Sequence, residues 1–108
     1  MDHFTFTDMQ NMQRELQEKY MDKWGGLSPE AGKNTLLWLY GEAGEVGDII
    51  KKEGSSRIMD DDAVRSHFIE ELCDVMMYFN DLMLCYDITP EEFERIYREK
   101  HHKNMGRW

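Results

Sequence analysis

Two short patterns hold the residues of this chain best suited to chemistry. Glu42-Ala43-Gly44-Glu45 and Glu71-Leu72-Cys73-Asp74 each set two carboxylates three positions apart. On a helix that spacing places both on one face, about one turn apart. Leu39, Ala43 and Val46 surround the first pair, and Leu72, Val75 and Tyr78 the second, so both pairs sit at the edge of an apolar stripe. Two antiparallel helices facing each other would gather all four carboxylates in one cleft, where like charges repel or raise one another's pKa. Divalent cations relieve that repulsion. An oxygen-only ligand set without His or Cys favours Mg²⁺, or Mn²⁺, over zinc or copper, and Mg²⁺ is commonly completed by substrate phosphates. Gly41 and Gly44 lie inside the same helix. Each costs up to about 1 kcal/mol there, which makes sense if another backbone or a ligand comes close.

The composition limits what such a centre could serve. The 108 residues suit a single domain over positions 1–108, and the formal charge is −9. A nucleic-acid polymer needs a basic footprint, and an anionic membrane surface does too. Neither is expected as a partner. A hydrophobic share of 41% suits a packed core and not a disordered chain. Cys73 and Cys85, twelve residues apart on one helix, would be about 18 Å apart along its axis, too far for a disulfide. Reduced thiols, no basic-then-apolar leader and no apolar run near 20 residues together predict a cytoplasmic protein.

The elements that must position the carboxylates read as four helices. Thr7-Asp8-Met9-Gln10 has the form of a capping box. Met9, Met12, Leu16, Tyr20 and Trp24 follow at helical spacing, up to Gly25-Gly26. Ser28-Pro29 opens a second helix, over about 30–52, with Leu36, Leu39, Tyr40, Ala43, Val46 and Ile50 on one face and a break at Gly54-Ser55-Ser56. A third helix starts at the acidic run Asp60–Asp62 and reaches about Tyr86. Thr89-Pro90-Glu91-Glu92 begins a fourth. No stretch alternates with period two. The fold class is all-α, a four-helix bundle. From Val75 to Cys85 the third helix is apolar around almost its whole circumference and must be covered on all sides. Three short helices cannot cover it, which predicts a homodimer or homotetramer assembled through the long apolar helices. Met9, Met12, Met76, Met77 and Met83 read as core filler.

With the pairs and their flanks in view, the chain resembles the all-α nucleoside triphosphate pyrophosphohydrolases, the MazG-like group. Glu42-x-x-Glu45, 25 residues and Glu71-x-x-Asp74 look like their ExxE…ExxD signature. Asn34-Thr-Leu-Leu-Trp-Leu-Tyr-Gly-Glu-Ala-Gly-Glu-Val-Gly-Asp is similar to their first motif helix, and Glu70-Glu71-Leu72-Cys73-Asp74-Val75 to their EELxDV stretch. Lys100-His-His-Lys103-Asn104-Met-Gly-Arg107-Trp is similar to their K…KN…R tail. The resemblance runs from about residue 30 to the end. MazG proper tends to carry a further Glu where this chain has Gly41, so the match is to the wider group, which includes dCTP- and dUTP-cleaving relatives.

The resemblance implies Mg²⁺-dependent hydrolysis of a (deoxy)nucleoside triphosphate between its α and β phosphates, giving the monophosphate and pyrophosphate, in nucleotide-pool sanitation. Glu42, Glu45, Glu71 and Asp74 would hold the metal. Glu45, backed by Glu42, would orient or deprotonate the attacking water. Lys100, Lys103 and Arg107 could grip phosphates, with Asn104 as a polar partner, although cations at a helix C-terminus also suit its dipole. Trp38, one turn before Glu42, could stack on the base and Asn34 could meet its edge. Asp81, seven residues after Asp74, reads as support behind the ligands. Two alternatives stand beside this reading: a phosphoribosyl-ATP pyrophosphohydrolase-type enzyme with the same metal logic, and a non-catalytic acidic helical binding module.

Overall fold

The computed structural model describes residues 3–108, and all of the regular structure within them is helical. Helix α1 spans Phe6–Lys19, α2 Met21–Trp24, α3 Gly32–Asp60, α4 Asp62–Cys85 and α5 Pro90–Met105, with a 3₁₀ turn over Pro29–Ala31. The all-α expectation holds, with five α-helices in place of four.

Caps explain most of the boundaries. Thr5, not Thr7, begins α1: its Oγ1 accepts from Asp8 N at 3.1 Å, and Asp8 Oδ2 accepts from Thr5 N at 2.9 Å. The stripe from Met9 to Trp24 does not run through one helix, because the backbone leaves helical geometry at Tyr20 and α2 follows as a separate turn. Gly25 then takes φ +82 and Gly26 φ +76, and the chain turns. Ser28 makes no side-chain cap, so the second long helix starts through the 3₁₀ turn and not directly at Pro29. The break expected at Gly54 is real in the backbone, at φ 79 and ψ 162, but helix resumes over 55–60. Asp61 caps α4 by accepting from Ala63 N and Val64 N, and Thr89 caps α5 by accepting from Glu92 N, both as the sequence indicates.

A single residue, Asp61, links α3 to α4, so the two long helices pack as an antiparallel hairpin. Their register is fixed at three levels. Thr35 Oγ1 lies 3.6 Å from Cys85 Sγ at one end, Glu42 and Glu45 face Glu71 in the middle, and Ile49 shares a pocket with Val64 and His67 at the other. Gly32 is set by close approach: a Cβ there would lie 2.0 Å from the Tyr86 hydroxyl. Helix α1 packs on α4, and Gln10 Nε2 donates to the Ile88 carbonyl at 2.9 Å, tying α1 to the turn before α5.

The buried set is smaller and more polar than periodicity implied. Ile49, Ile58, Met83 and Cys85 are buried, with Gln10, Gln13, Thr35, Asn80 and Asp81 among them. Met83 is core filler as expected; Met12, Met76 and Met77 are exposed instead, as are Tyr40, Ile50 and Trp24. Cys73 is an exposed free thiol, so only Cys85 belongs to the core. The second half of α4 is not enclosed within one chain. No helix among the described residues is long and apolar enough to cross a membrane.

Candidate metal and nucleotide site

The middle of the α3–α4 hairpin brings three of the four predicted carboxylates together. One ligand oxygen from each of Glu42, Glu45 and Glu71 lies within 4.8 Å of the others. Asp74 stands outside this tight set, but its charge acts on both Glu42 and Glu71 and helps raise their pKa. The spacing explains the arrangement: three positions on each helix are just under one turn, so each pair points across the same seam.

Among the described residues, no lysine or arginine forms an ion pair with the cluster. The Glu42 carboxyl is pushed up to about 7, first by desolvation, then by the neighbouring Glu45 and by Asp74 and Glu71. Glu71 is raised for the same reasons, with His67 opposing weakly. Glu42 Oε2 and Glu71 Oε2 are enclosed without a hydrogen-bond partner. Enclosed anionic oxygens with no donor are rare in folded chains, because each costs its full desolvation free energy. Hard, partnerless oxygens converging from two helices are a donor set that fits Mg²⁺ or Mn²⁺. The glycines expected to admit a close backbone do not: a Cβ at Gly41 or Gly44 would meet nothing within 4 Å, so the helix face beside the carboxylates is open.

Beside this centre lies a cleft of about 540 Å³ between α1 and the hairpin, and Asp74 forms part of its wall. Asn34 and Trp38, both predicted to meet a base, line it; Trp38 is 64% exposed and free to stack. Also lining it are Gln13 and Gln17 from α1, which periodicity missed, and Tyr78 and Asp81 from α4. The available signal was the spacing of Gln13 and Gln17, four apart on one face of α1. Asp81 lines the cleft together with these glutamines. Burial pushes its carboxyl up to about 6, and hydrogen bonding with Gln13 and Gln17 opposes the rise only in part. Tyr78 bridges the two regions, since burial raises its phenol and the charges of Glu42 and Asp81 both raise it further.

The predicted phosphate grip makes no ion pair with the carboxylates among the described residues. Lys100, Lys103 and Arg107 are exposed at the end of α5. Arg107 lies instead over the Trp108 ring, 5.0 Å from its centroid. Asn104 is half-buried, with Oδ1 enclosed and unpartnered. No model of a known protein family, no curated protein and no solved structure gave a significant match to the chain.

Proposed function

We propose that the chain is a Mg²⁺-dependent nucleoside triphosphate pyrophosphohydrolase. The observation that carries this reading is the convergence of Glu42, Glu45 and Glu71 from two helices, with Asp74 beside them and no ion pair to a lysine or arginine among the described residues. Glu42, Glu45, Glu71 and Asp74 would hold the ion, which when bound supplies charge neutralisation for the phosphates. Glu45 is the exposed member and the one placed to orient an incoming water and take its proton. The water oxygen bonds to the α-phosphorus, the bond to the bridging oxygen breaks, and pyrophosphate departs with the electron pair. The nucleoside lies in the adjacent cleft against Trp38 and Asn34. Lys100, Lys103, Asn104 and Arg107 join the phosphates only if α5 of this or a second copy approaches.

The chain is also proposed to act as a homodimer or homotetramer. Met12, Ile69, Leu72, Met76 and Met77 form an exposed apolar surface across α1 and α4. A second apolar groove, of about 1200 Å³, separates α5 from Tyr40, Ala43 and Val75 on the hairpin. Apolar surface of this extent on a small domain marks an association face. Light scattering at micromolar concentration tests this, and a monomer there overturns it.

The decisive assay offers a panel of canonical and modified (deoxy)nucleoside triphosphates with Mg²⁺ and scores pyrophosphate against orthophosphate. Pyrophosphate release that EDTA abolishes supports the reading; no release from any nucleotide overturns it.

A further inference from the structure

The cleft beside the carboxylates has a chemical bias of its own. Its wall contains no lysine or arginine. It does contain Asp81, which is 4% exposed and whose Oδ1 has no hydrogen-bond partner. A buried carboxylate oxygen left open is costly, and a site normally keeps one only where something donates to it. Gln13 and Gln17 line the same cleft beside Asp81, and Oδ1 is left unmet. Asp81 is one of the residues that line the cleft, so this unpartnered oxygen belongs to the cleft wall.

The cleft volume of about 540 Å³ suits a nucleoside-sized ligand. Asp74 sits at its margin, so a ligand with its ring near Asp81 would carry its phosphates towards the acidic centre. Trp38 and Tyr78 offer flat surfaces on the way.

We propose that Asp81 is a specificity-determining residue that selects nucleobases bearing an exocyclic amino group over uracil and thymine. The inference rests on the hydrolase reading above and names the substrate class of the same site. The amino group of cytosine or adenine donates to Asp81 Oδ1. At the exocyclic position the uracil carbonyl sets an acceptor against Asp81, and the donor on that edge moves to N3–H, so a carboxylate aimed at the amino position loses its hydrogen bond and keeps a repulsive contact. Base-edge contacts of this kind discriminate by about tenfold or more.

The cleanest test compares dCTP with dUTP, which differ on that edge. Wild-type protein is expected to favour dCTP at least about tenfold in kcat/KM. Asp81→Asn, whose amide can donate to the uracil carbonyl, should lower that ratio about tenfold or invert it. Asp81→Ala serves as a second variant should Asp81→Asn misfold, and should bring the ratio near one. Binding is read separately, by quenching of tryptophan fluorescence with dCMP and dUMP in Mg²⁺. Preferential dCMP binding without hydrolysis overturns the hydrolase reading and leaves the role of Asp81 standing. Hydrolysis with equal ratios in wild type and variants overturns the role of Asp81 and leaves the hydrolase. A wild-type preference for dUTP, or binding of neither monophosphate, also overturns it.

Discussion

Glutamates on α5 and glutamates on the α3–α4 hairpin are the same residue on the same kind of helix, yet their surroundings differ. On α5, Glu94 lies 3.0 Å from Arg98 and Glu99 lies 3.6 Å from Arg95, one turn away on each count and open to water. On the hairpin, Glu42, Glu45 and Glu71 face one another and no ion pair reaches them among the described residues. The first arrangement satisfies charge locally, by spacing along one helix. The second gathers like charge from two helices and leaves it for something outside the chain. Sequence acidity alone does not separate these cases; the presence or absence of an arginine four positions away does.

The sharpest way to break this contrast is to remove charge from the hairpin. Glu42→Gln, Glu71→Gln or Asp74→Asn should each lower pyrophosphate release by about a hundredfold or more, the scale of losing one preorganised electrostatic contact. Circular dichroism should show the helices intact. Full activity in Glu42→Gln and Asp74→Asn would remove the site. The same changes on α5, at Glu94 or Glu99, should leave turnover unaltered.

The next effect is on stability, and its sign separates the two regions. The folded Glu42 carboxyl titrates near 7 and its unfolded counterpart near 4.5, so the folded state holds the proton more tightly. Its contribution is fully present below about 4.5 and is lost as pH rises towards 7. Metal-free protein should therefore melt lower at pH 8 than at pH 5, and Glu42→Gln should flatten that slope. Mg²⁺ at a hundred times its dissociation constant should restore about 2.7 kcal/mol at pH 8. Scanning calorimetry with and without EDTA measures both.

Packing at the far end of the hairpin predicts a smaller loss. Gly32→Ala forces the Tyr86 ring to move, at a cost of about 1–3 kcal/mol. Denaturant unfolding should show most of that recovered in a Tyr86→Ala background. The smallest effect belongs to α5, where Arg98→Ala should cost well under about 1 kcal/mol, as exposed ion pairs do.

How much of this was legible in the sequence varied with how local the cause was. The caps at Asp61 and Thr89 involve neighbours two or three positions on, and both were readable. At the N-terminus two threonines each fit a cap, and only the geometry chose Thr5 over Thr7. The three clustered glutamates were readable because their spacing forces each pair onto one face. Gln10, Gln13 and Asn80 were not, because polar side chains enter a core only when distant partners or a cleft receive them; Asp81 was marked by its spacing from Asp74, but its burial was not. Periodicity also marked Met76 and Met77 as core filler, yet both obey the helical period and still face outwards in one chain.

The hydrogen bond from Gln10 to the Ile88 carbonyl joins residues 78 positions apart. Contacts that distant in sequence form late, since the loop between them must be ordered first. On the ribosome, α1 would wait, unanchored, until nearly all of α4 and the turn after it had been made. The cleft beside the carboxylates takes Gln13 and Gln17 from that same helix, so one of its walls depends on α1 meeting α4, far along the chain. Order of synthesis thus bears on order of assembly: the clustered carboxylates come from two adjacent helices, whereas the cleft closes only when α1 meets α4 and the turn after it.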